Sequence, residues 1–312
     1  MLDIYLTDEL GKMNKTDTFT KGCWVNLIHP TEEEIKRVID ETNIPLDFIK
    51  DPLDDDERSR IEKEDDNVLT IVDVPVLVED NSDSALYDTI PIGIIVTPSY
   101  FVTVCLRETP IIGDFVNNKI KGFFTYKKTR FALQLLYSVA SYYLRYLKHI
   151  DRKTSIIERE LHQSMKNKEL FMLLSLEKTI VYFMTSLKAN NIVMEKMTKQ
   201  RFLRMYEDDQ DLLEDVIIEI KQAAEMAEVH SNILSGMMDA YASVISNNVN
   251  VVMKFLTAFT IILSLPTMVF SFYGMNVSFP GEKLGNGFIV PLVISLLLSC
   301  STVYIFWKKR YF

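Results

Sequence analysis

The chain has 312 residues, 48% hydrophobic and 25% charged, with a formal net charge of −9. An acidic balance argues against nucleic acid and against docking on anionic lipid, and is compatible with binding cations. The three cysteines, Cys23, Cys105 and Cys300, stand apart, which excludes a disulfide framework and a zinc spacing; they read as core or lipid-facing residues.

The first thirty residues carry Asp3, Asp8 and Glu9 and no apolar core, so a cleavable signal peptide is not expected. Residues 1–130 read as a mixed α/β domain. Thr31 followed by Glu34 is a capping box that starts a short helix ending near Asp40. Residues 51–66 are dense in acids, with Arg58, Arg60 and Lys63 interleaved, and predict a solvated helical turn and loop. Strand-rich runs follow at Asn67–Val78, Ile90–Val96 and Phe101–Cys105, the last two joined by the turn Thr97-Pro98-Ser99-Tyr100.

From residue 131 the period is helical, and residues 131–250 read as a helical stalk. One run takes Leu136, Ala140, Tyr143, Leu147, Ile150, Ile157 and Leu161 to one face. A second takes Leu173, Leu176, Ile180, Phe183, Leu187 and Met194. A third takes Leu213, Val216, Ile220, Ala223, Ala227, Leu234, Met237, Tyr241 and Val244. His230 falls on this last seam and reads as a packed, hydrogen-bonded side chain; His29, His149 and His162 form no ligand pattern. Asp208, Asp211, Asp215 and Glu219 make an acidic stripe on one helix face, either a solvated face or a metal site. The third run passes into an apolar segment without a breaker, which predicts one helix from Asp209 to Phe272.

Residues 251–273 form the first predicted span. From Phe255 to Tyr273 there is no charge, a length of roughly 28 Å at about 1.5 Å per residue. Its hydroxyls Thr257, Thr260, Ser264, Thr267 and Ser271 are spaced 3, 4, 3, 4 and stack on one face. Continued backwards the line meets Met253 and Asn250; forwards it meets Gly274. Two readings account for it: a water-filled path, or a seam where helices pack through small hydroxyl residues. Five hydroxyls on one stripe favour the path. One such helix cannot enclose water, and Ser295, Ser299 and Thr302 are too sparse to complete a wall. A closed homo-oligomer with the stripe at its axis is therefore expected.

Residues 274–286 form an outer loop with Glu282 as its only acid. Residues 287–307 form a second uncharged span, and residues 308–312 a tail carrying Lys308, Lys309 and Arg310. Basic residues beyond a span favour the cytoplasm, so both termini are expected there. Five cations and one acid follow residue 250, leaving the first 250 residues at −13.

The tetrapeptide YGMN at Tyr273–Asn276, closing the first of two C-terminal spans, with a basic tail after the second, resembles the CorA magnesium-transport family. The stretches SGMMDAYASVISNNVNVVMKFLT (235–257) and DPLDDDERSRIE (51–62) are similar to the same family. The resemblance implies a homopentameric funnel in the cell membrane: an α+β cytoplasmic domain with a mixed sheet, a long helical stalk and two transmembrane helices. It implies passive uptake of hydrated divalent cations, chiefly Mg²⁺, gated by cytoplasmic Mg²⁺ bound between subunits. Gly274, Met275 and Asn276 then form the selectivity filter. Asn250, Met253, Leu256, Thr257, Thr260, Ser264, Thr267 and Ser271 line the pore, with Met253 and Leu256 as the hydrophobic constriction. Asp215 and Asp80 match the regulatory acids, with Asp211, Glu219 and Asp239 as further candidates. Ser264 stands where the family often has a Met, so a second constriction is not expected. The expected partners are further copies of the chain, the bilayer and divalent cations.

Cobalt or nickel passage remains open. A zinc transporter of the related ZntB branch is the alternative on the same architecture, and GMN rather than GVN argues against it. A membrane-anchored enzyme or sensor is the alternative from another class. The chain has no P-loop, no dinucleotide-binding glycine fingerprint, no nucleophile elbow and no HExxH.

Overall fold

The computed structural model describes residues 1–78, 86–163, 167–200, 202–275, 289–309 and 311. It divides into two compact units, Met1–Gly236 and Met237–Phe312.

The first unit is built on a seven-stranded sheet. Its strands are β1 (Leu2–Thr7), β2 (Met13–Thr16), β3 (Trp24–Ile28), β4 (Arg60–Glu64), β5 (Asn67–Val78), β6 (Leu86–Val96) and β7 (Phe101–Cys105). The order is β2-β1-β3-β7-β6-β5-β4. Every pairing is antiparallel except β3 with β7, so the sheet is mixed. Val96 pairs with Phe101 across the expected turn, where Thr97 holds Tyr100 through its backbone N–H and carbonyl. β1 to β3 were not expected. β4 replaces part of the expected 51–66 loop: only Asp51–Leu53 is a helical turn, and Arg60, paired with Asp51, Glu57 and Glu62, anchors the strand that follows. Charged strands at a sheet edge lack the apolar alternation that makes a strand visible in sequence.

Prolines mark where strands lose their neighbours. β4 pairs only with Asn67–Ile71 of β5, so Pro75 lies beyond it, where no N–H is needed on that side. Pro91 of β6 likewise precedes the stretch Ile92–Val96 that β7 covers.

The central strands are covered on both faces. Val102 and Val104 of β7 share a core with Ile35 and Val38 of α1 (Glu32–Thr42) and Phe48 and Ile49 of α2 (Leu46–Lys50). The alternate residue Phe101 turns the other way and stacks on Phe131, 3.9 Å between centroids. Phe131 belongs to α4 (Lys128–Gln163), which follows the short α3 (Pro110–Val116). Trp24 packs edge-on against Phe131 at 5.1 Å and donates its indole N–H to Thr103 Oγ1 at 2.7 Å. Gly93 lets the helical turn lie close on β6, since a Cβ there would run into the Pro52 ring. The Thr31–Glu34 capping box of α1 is present in both directions.

α5 (Asn167–Lys199) is also long and apolar enough to cross a membrane. Here its hydropathy is that of a core helix. Leu173, Leu176, Ile180, Phe183, Leu187 and Met194 are buried, and the helix packs on β5 and β6. Asn190 clamps it there, donating to the Asp73 carbonyl (2.8 Å) and accepting from the Asp73 N–H (3.0 Å).

α6 (Glu207–Tyr273) is one helix of 67 residues that begins in the first unit and ends in the second. Its expected seam is buried from Leu213 to Leu234 and again at Tyr241, while Met237 is half-buried and Val244 exposed. His230 is mostly buried, its Nδ1 3.6 Å from an Asp151 oxygen. α7 (Ile289–Lys308) completes the second unit. Cys23 and Cys105 are buried and Cys300 is exposed.

Candidate functional site

On the second unit's part of α6, Thr257, Thr260, Ser264, Thr267 and Ser271 are all exposed. Ala258 and Val269 are buried, and Ile262 and Leu265 are half-buried. At 100° per residue these apolar positions lie roughly 130° around the helix from Ser264. The helix packs only along this narrow line; the hydroxyls are uncovered within the chain, and so are the apolar Phe255, Phe259, Leu263 and Met268. Asn250, Met253 and Leu256 continue the uncovered side, the last two each 54% exposed.

The hydroxyls are oriented by the helix itself. Thr260 Oγ1 donates to the Leu256 carbonyl (2.8 Å), Ser264 Oγ to Ile261 (2.8 Å) and Thr267 Oγ1 to Leu263 (3.2 Å). Such back-bonding by itself is ordinary for Ser and Thr in apolar helices. Its chemical consequence is that these three protons are committed and the oxygen lone pairs of Thr260, Ser264 and Thr267 remain as acceptors. Pro266 removes one helix N–H and leaves the Ile262 carbonyl without its usual donor, although the helix continues to Tyr273.

At the C-terminal end the Gly274 N–H donates to the Phe270 carbonyl (2.9 Å) and Met275 N–H to Phe272 (3.4 Å). Gly274 and Met275 are exposed. Asn276, the outer loop 277–286 with Glu282 and Lys283, residues 287–288 of the second span, and Arg310 lie outside the described residues. Asp80 does too.

Of the expected metal-binding acids, Asp211 and Asp215 are exposed and Glu219 is half-buried, on the side of α6 opposite Leu213, Val216 and Ile220. Asp239 is exposed in the second unit. Among the described residues no three His, Cys, Asp or Glu side chains converge on a metal-sized site. The sequence reading missed Ser243 and Ser246, both exposed and continuing the hydroxyl line towards Asp239. Their spacing was the available signal; the lack of an apolar background hid it.

The family model for the CorA-like Mg²⁺ transporter protein matches residues 20–310. The chain belongs to the CorA-like Mg²⁺ transporter family. It is 26% identical over 296 residues to the cobalt/magnesium transport protein CorA of Methanocaldococcus jannaschii, covering 92% of this chain and 90% of that one. It is 26% identical over 204 residues to the cobalt/magnesium transport protein CorA of Thermotoga maritima, covering 61% and 55%. The complete structure of the M. jannaschii CorA magnesium transporter superposes with a TM-score of 0.86 at 22% identity, covering 100% of this chain and 99% of that one. Membership in the CorA family makes this a membrane transport protein rather than an enzyme, with the α+β domain, long helices and C-terminal apolar helices of that fold.

Proposed function

We propose that the chain is a homopentameric channel for passive uptake of hydrated divalent cations, chiefly Mg²⁺, with Co²⁺ as a second cargo. The observation that carries this reading is the hydroxyl stripe from Thr257 to Ser271, uncovered in the single chain, with acceptor oxygens at Thr260, Ser264 and Thr267, and running into the GMN tripeptide at Gly274. Mg²⁺ sheds its water reluctantly. The water protons of a hydrated ion point outwards, so a wall of oxygen lone pairs suits it, whereas a ring of carboxylates would hold it too tightly for passage. The stripe between Asn250 and Ser271 has no carboxylate.

In this reading Gly274, Met275 and Asn276 select the ion at the outer mouth, and Met253 and Leu256 close the path to water. Cytoplasmic Mg²⁺ bound between subunits holds the closed state through Asp215 and Asp80, with Asp211, Glu219 and Asp239 as further oxygen donors. Carboxylates are the donor type that Mg²⁺ prefers, and loss of the ion would leave like charges facing one another. The N-terminal unit and the C-terminus lie in the cytoplasm, since Lys308 and Lys309 follow the last span.

The decisive test is flux into liposomes that contain only this protein. Mg²⁺ should enter down its gradient without nucleotide or proton gradient. Flux that requires a proton gradient would reject the passive channel.

A further inference from the structure

A cavity of about 520 Å³ in the first unit is lined by Tyr126, Lys127, Lys128, Arg130, Arg204, Tyr206, Asp208 and Asp209, among others. Four cations and two acids line it in a chain whose net charge is −9, a local reversal of sign.

The acids do not cancel the excess. Asp209 is committed to the fold. Its side chain is buried, it accepts from the Tyr206 N–H at the start of α6 (3.1 Å), and it stands 3.5 Å from Arg130 Nη1. Lys128 has no carboxylate partner among the described residues; its ammonium donates to the Thr97 carbonyl at 2.7 Å and to the Pro98 carbonyl. Burial and the nearby Lys21 both push its proton affinity down, as unrelieved positive charge does. Lys127 lies over the Phe124 ring, 5.0 Å from its centroid, and Arg204 is exposed without an ion pair among the described residues. Lys127 and Arg204 are thus the cations at this cavity without an ion pair among the described residues, with only Asp208 left to oppose them. Tyr206, 82% exposed, and Tyr126 stand on the rim. Tyr126 is seated against Gly22, where a Cβ would come within 2.9 Å of its own.

We infer that this cavity binds a polyphosphate anion of nucleoside di- or triphosphate size, its phosphates held by Lys127 and Arg204. The volume lies within the range of small-molecule sites and exceeds what one inorganic phosphate fills. Arginine and lysine donors match phosphate oxygens. The rim tyrosines offer a stacking face for a base. The cavity shares no residue with the proposed pore; Asp208 is the one member of the acidic stripe that lines it.

The test is equilibrium binding to the purified full-length chain in detergent with divalent ions removed, using ATP, inorganic tripolyphosphate and adenosine as probes. ATP and tripolyphosphate should bind saturably, and adenosine should not. Tighter binding of ATP than of tripolyphosphate identifies a nucleotide; equal binding identifies polyphosphate alone. Arg204→Ala and Lys127→Ala should each weaken ATP binding about tenfold, and raising salt should weaken it further. Both side chains are exposed, and an unchanged melting midpoint would confirm folding. In the unaltered protein, a photoreactive azido-ATP should label peptides around Tyr126 and Tyr206. Absence of saturable binding, adenosine binding as well as ATP, labelling elsewhere, or full affinity in both folded single variants would each overturn the inference.

Discussion

At Gly274 two demands meet on one residue. Its N–H closes the last turn of α6 on the Phe270 carbonyl, and a Cβ added there would stand 3.2 Å from that same oxygen. That contact is tight, so even alanine asks the backbone to shift where the filter is proposed. Without a side chain the backbone carbonyls can also approach an ion closely. Gly274→Ala and Asn276→Ala are therefore expected to lower Mg²⁺ uptake at least tenfold while the oligomer still forms. Uptake at the unaltered rate in both variants, measured with assembly checked by size, would remove these residues from the filter. The proposed roles of Gly274 and Asn276 come from the family resemblance carried by GMN at the end of a span. Nothing similar marks Lys127, Lys128 and Arg204: about seventy-five positions separate the two segments, and only folding brings them to one cavity.

Two elements carry the mechanical argument. α5 is docked to the sheet at Asp73, where Asn190 takes both backbone groups and Tyr143 donates its hydroxyl to the same carbonyl at 3.1 Å. Desolvation raises the Asp73 carboxyl above its ordinary value, against hydrogen bonds from Ser186 and Ser59 that lower it. A raised folded-state value means the folded chain holds this proton more tightly than the unfolded one. Its stabilisation is full below the ordinary carboxylate range and is lost as pH rises through the folded value. Asp73→Asn, neutral throughout, should gain stability relative to the parent as pH goes from 4 to 7. Parallel unfolding midpoints across that range would show that the carboxyl is solvated. For α6 the test is periodicity. Single cysteines at Thr260, Ser264, Thr267 and Ser271, with Cys23, Cys105 and Cys300 removed, should react with a small charged thiol reagent. Cysteines at Ile262 and Val269 should not, because thiolates form where water reaches. Uniform labelling would return the hydroxyls to a packing role.

At the scale of the whole molecule, one chain leaves its hydroxyl stripe and its acidic stripe uncovered, and copies around an axis would cover both. In the proposed channel, coupling between the regulatory acids and the pore would run along α6, which is one continuous helix. Asp215→Asn combined with Asp80→Asn should shift inhibition by internal Mg²⁺ to concentrations at least threefold higher and leave the open-state flux near that of the parent. Current measured against internal Mg²⁺ decides this, and an unchanged inhibition curve would reject these two acids as the sensor.

By itself the sequence determined the features that depend on local period and chemistry. These were the capped helix at Thr31, the β6–β7 hairpin, the buried faces of α4 and α5, the unbroken α6 and the family tripeptide. Each is written in residues three or four apart, or two apart in a strand, and so needs no knowledge of distant partners. Tertiary structure alone decided the rest. It set the order of the sheet, with β3 and β7 parallel across most of the domain. It made a strand of the charged segment Arg60–Glu64 by laying it along β5. It distinguished α5, apolar enough to span a bilayer, as a core helix by placing it on β5 and β6. Hydropathy measures what a segment must hide, and only the packing says whether protein or lipid hides it.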